Sequence, residues 1–145
     1  MSTITQAYIK IAIFDVEGMI LSQRTVAEDW ERDFGIKPEH SLPFFQGPFE
    51  QVLIGRADLK KSLEPFLKSW GWAGGVHEFL VRWFEANVKV NAEILKAIEE
   101  LGAKGVKCYL AINQEKYRTD YFRVQLNFKH WFNGIYSSSD LGCKK

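Results

Sequence analysis

The run IAIFDVEGMI, residues 11–20, changes character halfway: four apolar residues give way to Asp15, Val16, Glu17 and Gly18. Upstream, Tyr8, Ile9, Ile11, Ala12, Ile13 and Phe14 are apolar and partly β-branched, interrupted only by Lys10. This composition predicts a strand covered on both faces, as in a parallel sheet. Two carboxylates where such a strand leaves the core call for an explanation. Ligands in open parallel sheets collect beyond the carboxyl ends of the strands, and Gly18 allows a turn that other residues resist. Taken alone, Asp15-Val16-Glu17-Gly18 reads equally well as a solvated acidic turn, so the rest of the chain has to discriminate.

Downstream the period changes from strand to helix. Thr25-Val26-Ala27-Glu28 has capping-box spacing, and Val26, Trp30 and Phe34 recur every fourth residue until Gly35, which predicts one helix. Phe45, Phe49 and Val52 form a second helical stripe, Leu59, Leu63 and Leu67 a third disturbed by Pro65, and Val76, Phe79, Leu80 and Trp83 a fourth. No strand is predicted between residues 22 and 90. Asn91 is a candidate N-cap for a helix carrying Ile94, Leu95, Ile98 and Leu101, with Gly102 as its left-handed stop. Val106 to Ile112 reads as a second buried strand. Gln114 to about Leu126 carries Tyr117, Tyr121 and Val124 on a helical stripe, and the chain returns through Asn133-Gly134 to Ile135 and Tyr136. Strands alternating with helices of this length imply parallel pairing through right-handed crossovers. The predicted fold class is therefore α/β, a partial Rossmann-like parallel sheet formed by residues 1–21 and 91–145, interrupted by an all-helical insert at 22–90.

Composition narrows the function classes. The chain has 145 residues, 46% hydrophobic and 14% aromatic, enough for one packed domain or a small core with an insert. Nineteen Lys and Arg stand against 18 Asp and Glu, so no basic excess points to nucleic acid or an acidic membrane. Cys108 and Cys143 match no metal-ligand spacing, and nothing at the amino terminus resembles a secretory signal, which predicts a reducing, cytoplasmic setting. No window holds the roughly 18 apolar residues of a membrane span. His40, His77 and His130 share no metal spacing and are assigned no role. Trp70, Trp72, Trp83 and Phe84 read as the core of the helical insert rather than as a substrate pocket.

Three segments read together carry a resemblance. Asp15-Val16-Glu17-Gly18-Met19 ends the first strand, Tyr109-Leu110-Ala111-Ile112-Asn113-Gln114-Glu115 ends the second, and Ser138-Ser139-Asp140-Leu141-Gly142-Cys143-Lys144-Lys145 follows the third. In order and spacing they resemble the haloacid dehalogenase (HAD) superfamily of phosphohydrolases. In that family one strand ends in Asp-x-Asp-Gly-Thr, a second in Ser or Thr often followed by Asn, and a third segment brings a Lys three residues after a Gly. The helical insert is similar to the small cap many members place between the first two motifs.

The resemblance implies a chemistry. Asp15 would be the nucleophile that forms an aspartyl-phosphate, Glu17 the general acid and base, and Lys145 the cation that neutralises charge on phosphate and on Asp15. Gly18 and Asn113 would contact the phosphate. A magnesium ion, which prefers hard oxygen ligands, would sit between Asp15, the main-chain carbonyl of Glu17, phosphate and waters. The expected partner is a small phosphorylated metabolite, with no nucleic acid and no membrane. Because carbon–halogen members lack a carboxylate at the position of Glu17, phosphate ester hydrolysis is expected over dehalogenation.

Four departures from the pattern lower the expected rate. Glu17 replaces Asp, Ile112 stands where a hydroxyl donor is usual, and Met19 stands where Thr is usual. Asn113 or the hydroxyls of Ser137 to Ser139 are the available substitutes for the missing donor. The acidic pair of the fourth motif has no counterpart before Lys145, so the magnesium site is expected to be incomplete. The strand that would flank Tyr8–Phe14 is missing with it, and self-association through an open sheet edge, or a fragment of a longer hydrolase, is expected. The expectation is a weak or inactive phosphohydrolase. The alternatives are a non-catalytic HAD-like binding or structural domain, or an unrelated α/β module in which Asp15, Asn113 and Lys145 do not meet.

Overall fold

The computed structural model describes residues 8–23, 25–86 and 88–145. The chain enters through strand β1 (Ile11–Phe14) and passes into five helices: α1 (Val26–Phe34), α2 (Pro38–Phe45), α3 (Pro48–Leu53), α4 (Leu59–Ser69) and α5 (Val76–Glu85). It returns through α6 (Ala92–Ala103) to β2 (Lys107–Ile112), then α7 (Lys116–Val124), α8 (Phe128–Trp131), β3 (Gly134–Ser137) and α9 (Ser138–Leu141). The strands form one parallel sheet in the order β1-β2-β3, with Phe14 opposite Leu110 and Ile112 opposite Ser137. The fold is α/β with a three-stranded parallel sheet, as the alternation of periods implies.

Two apolar clusters hold the chain together. The first lies among α1–α5 around Trp30, which is fully buried and meets the rings of Phe45 at 4.8 Å, Trp83 at 4.9 Å and Phe79 at 5.1 Å. Trp83 and Phe84 are buried in it, and Trp70 and Trp72 pack against it. The second joins one face of the sheet, Cys108, Leu110 and Ile112, to Ile98, Phe122, Phe128 and Phe132, with Val16, Ile20 and Leu21 from the segment after β1.

The other sheet face departs from the expectation of a strand covered on both sides. Ile11 and Ile13 alternate with the inward Ala12 and Phe14, and they are 57% and 69% exposed. Tyr136 of β3 is exposed as well. The exposure of this face is greatest at β1, which lies at the edge of the sheet, while Tyr109 and Ala111 of β2 are half-buried.

Local signals were mostly, not wholly, legible. Gly35 ends α1 in the left-handed region as expected, and the Asn91 side chain caps α6 by accepting from the N–H groups of Glu93 and Ile94. Thr25 sits at the N-cap of α1 but makes no side-chain capping bond, so the capping box is not formed. Gly102 does not stop α6. The helix runs one residue further, and Gly105, at φ +81°, takes the left-handed position, with Val106 N–H donating to Leu101 O. The stripe Phe45–Phe49–Val52 is split between α2 and α3, because Gly47 and Pro48 begin a new helix. Pro65 lies on the exposed side of α4, where water can serve the carbonyl its missing N–H leaves, and Leu59, Leu63 and Leu67 stay buried.

Candidate active site at the strand ends

The segment after β1 is locked by its own backbone. The N–H groups of Ile20 and Leu21 both donate to Val16 O at 2.9 Å, and Gly18, at φ +77°, donates to Leu21 O at 2.8 Å. Val16, Ile20 and Leu21 fill the core beneath, which presents Asp15 and Glu17 outward. Gly18 therefore serves the turn with its conformation and its N–H.

Asp15, Asn113 and Lys145 meet. Asp15 Oδ1 accepts from Val16 N–H at 2.8 Å, and its Oδ2 lies 2.6 Å from Lys145 Nζ. Lys145 Nζ also donates to Ala111 O at 2.8 Å, and the Lys145 N–H donates to Asn113 Oδ1 at 2.8 Å. The ends of β1 and β2 and the segment after α9 thus converge on one carboxylate and one ammonium. About half of the Asp15 side chain (47%) stays open to solvent, so a solute can reach it.

Glu17 has a partner that sequence reading missed. Its Oε1 accepts from Arg118 Nη2 at 2.8 Å, with the arginine side chain 4% exposed and the glutamate 38%. The guanidinium also lies over the rings of Phe122 and Phe84 at 5.2 and 5.8 Å. Of the stripe expected on α7, Tyr117 and Tyr121 do pack inward against the apolar clusters while Val124 is exposed, and the more deeply buried residues of the helix are Arg118, Thr119 and Phe122. The one signal that the buried face extends to Arg118 was the Arg118–Phe122 pair at i, i+4.

A hidden carboxylate caps α7. Glu115, 1% exposed, accepts from the N–H groups of Tyr117 and Arg118. Burial pushes it up to about 7, against the pull of those two donors and of the Arg118 charge. Nothing in the sequence distinguishes Glu115 from a surface residue.

Ile112 is buried in the second cluster and supplies no hydroxyl. The serines considered as substitutes are used to build the segment around α9. Ser137 Oγ accepts from Asp140 N–H and pairs with Ser139 Oγ at 3.1 Å, while Ser138 Oγ donates to Leu53 O at 2.6 Å. The last bond ties α9 to the helices of the insert. The Tyr117 hydroxyl ties α7 to the insert in the same way, donating to Asp58 Oδ2 at 2.6 Å, and is pushed up to about 12 by that carboxylate.

For a metal, the described residues hold no group of three or more His, Cys, Asp or Glu side chains suited to an ion. The ligands expected from the resemblance, Asp15 and the Glu17 carbonyl, would supply two hard oxygens, which would suit a magnesium ion that keeps waters and takes ligands from a phosphate rather than an all-protein cage. Both cysteines are free, Cys108 buried and Cys143 exposed, and no described helix is long and apolar enough to cross a membrane.

A parallel sheet with an acidic turn after its first strand, helices inserted behind that turn and a lysine returning to it has the fold of HAD family enzymes. A HAD family enzyme from Bacteroides thetaiotaomicron, solved with magnesium and inorganic phosphate, matches 95% of this chain and 73% of its own, with 16% identity and a TM-score of 0.74. A predicted HAD-like family hydrolase from Porphyromonas gingivalis matches 96% of this chain and 71% of its own, with 18% identity and a TM-score of 0.70. The L-2-haloacid dehalogenase of Xanthobacter autotrophicus matches 95% and 60%, with 18% identity and a TM-score of 0.58. No protein-family model matches the sequence, and no curated protein does.

Proposed function

We propose that the chain is a slow phosphomonoesterase of the HAD type, acting on small phosphorylated metabolites with Asp15 as nucleophile. The observation that carries this reading is the contact of Lys145 Nζ with Asp15 Oδ2, with Asn113 beside it, at the carboxyl ends of two parallel strands. An Asp15 oxygen attacks phosphorus, the P–O ester bond breaks, and the leaving oxygen departs with a proton. Water then attacks the phosphorus of the aspartyl-phosphate, which releases inorganic phosphate and restores the carboxylate. Lys145 balances the charge that builds on the phosphoryl oxygens and holds Asp15 in place.

Glu17 occupies the acid/base position, two residues beyond the nucleophile. To exchange a proton with the leaving oxygen or the water, its carboxyl must turn away from Arg118. That requirement, with the hydroxyl missing at Ile112, supports a low rate, since one absent donor costs on the order of 3 kcal/mol, about a hundredfold. Magnesium would be held by Asp15 and the Glu17 carbonyl and would supply charge neutralisation at the phosphate when bound. The carboxylate at residue 17 favours a phosphate ester over a carbon–halogen bond as the group cleaved. The engagement of Glu17 by Arg118 favours a second reading, a HAD-like domain that binds phosphate without turning it over.

The test is hydrolysis of p-nitrophenyl phosphate with magnesium by the wild type and by Asp15→Asn. The variant should fall to the uncatalysed rate while its stability changes by less than about 1 kcal/mol, because the Asp15–Lys145 pair is half-exposed. Equal rates above background remove the catalytic reading; binding of inorganic phosphate without turnover selects the second one.

A further inference from the structure

Between the helical insert and the sheet lies a cavity of about 390 Å³ whose two walls differ in chemistry. The insert contributes Leu42, Phe45, Phe49, Leu53 and Trp83, three of them aromatic and none charged. The sheet side contributes Glu17, Asn113 and Arg118. These connect the cavity to the Asp15 cluster, because Asn113 Oδ1 accepts from the Lys145 N–H and Lys145 Nζ lies on Asp15. A phosphoryl group over Asp15 would therefore direct the rest of its molecule toward the rings.

We propose that this cavity receives an apolar, preferably aromatic, leaving group, so that the substrate class is small aryl or arylalkyl phosphates rather than sugar phosphates. The inference rests on the phosphomonoesterase reading for the reaction, but the cavity's preference can be measured without it. A sugar carries several hydroxyls, and each one placed against the wall of Leu42, Phe45, Phe49 and Leu53 gives up its hydrogen bonds to water with little in return. An aromatic ring loses nothing there and gains edge and face contacts with Phe45, Phe49 and Trp83. The volume lies toward the small end of ligand pockets, which suits one or two rings. The polar residues on the opposite wall serve the phosphate end, where Glu17 and Arg118 are already paired with each other.

The experiment titrates the full chain by calorimetry with phenylphosphonate, methylphosphonate and phenol, none of which can be hydrolysed. Phenylphosphonate should bind at least about tenfold more tightly than methylphosphonate. Leu42→Gln, at a rim residue 48% exposed and so safe for folding, should narrow that ratio, as should Phe49→Ser. If phenol and phenylphosphonate bind but methylphosphonate does not, and Asp15→Asn leaves hydrolysis unchanged, the cavity assignment stands and the phosphatase reading falls. Phenylphosphonate binding no more tightly than methylphosphonate, or no binding by any of the three, overturns the assignment whatever the hydrolysis result.

Discussion

Glu17→Gln separates what the Glu17–Arg118 pair does for the fold from what Glu17 does for chemistry. The substitution keeps the shape of the side chain and removes the charge facing a guanidinium that is 4% exposed. Removing one partner of a fully buried pair costs about 3–5 kcal/mol. Here the glutamate end is 38% exposed, and the rings of Phe84 and Phe122 still face the cation, so the figure for a single hydrogen bond to a charged group, about 1.5–3 kcal/mol, is the better upper range. Glutamine can still accept one bond, which places the expected loss at about 1–2 kcal/mol. For a chain of this length that is a fall in Tm of roughly 3–8 °C. Urea unfolding followed by tryptophan fluorescence is a suitable assay, because buried Trp30 and Trp83 report on the insert and the chain has five tryptophans in all. In an Arg118→Met background the same Glu17→Gln change should cost less than about 0.5 kcal/mol, since the guanidinium that Glu17 faces is gone. An equal cost in both backgrounds, or no cost in the wild type, would refute the claim that Arg118 depends on Glu17.

Three other outcomes are expected. Glu115 titrates near 4.5 when unfolded and near 7 when folded, so the folded chain binds its proton more tightly. Stability from this group is complete below about pH 4.5 and is lost as pH rises through 7, by about 3 kcal/mol, and a difference curve against Glu115→Gln should isolate that slope. Gly55→Ala should destabilise by about 1–3 kcal/mol, because Gly55 sits at φ +71° and a Cβ there would collide with the carbonyl of Ser139; a melting curve like that of the wild type would show that the insert can shift away from α9. Finally, an antiparallel pairing of two β1 edges centred on Ile11 sets Ile9 against Ile13, both exposed, and faces the lone Lys10 with Ala12, so the chain should self-associate at about 100 µM. Sedimentation should return the Ile11→Lys variant to monomer, and a wild-type monomer at that concentration would rule out this pairing.

The order of elements was readable because each rests on short-range physics. The stripe Leu59, Leu63, Leu67 follows the helical repeat and is buried as expected, and the Asn91 side chain caps α6 within three residues of itself. Asp15 and Asn113 could be placed at strand ends from the run of apolar residues before each, and parallel strands in register bring those ends level; Lys145, beyond α9, was placed only by the motif resemblance, and it reaches Asp15 because the segment after α9 returns to the same ends. Arg118 and Glu115 were not legible. Whether a charged residue on a helix is buried depends on how much of the helix the rest of the chain covers, and α7 is covered on its Arg118–Phe122 side as well as along Tyr117 and Tyr121.

The bare face of β1 has the same origin. Alternation along Ile11–Phe14 is a property of the strand, but which side is covered depends on where the helices pack, and the described helices leave Ile11 and Ile13 to solvent. Periodicity, capping and turn chemistry act over a few residues and are written in the chain itself. The pairing of Glu17 with Arg118, 101 positions away, the burial of Glu115 and the apolar cavity between insert and sheet arise only when distant segments exclude water from the same space.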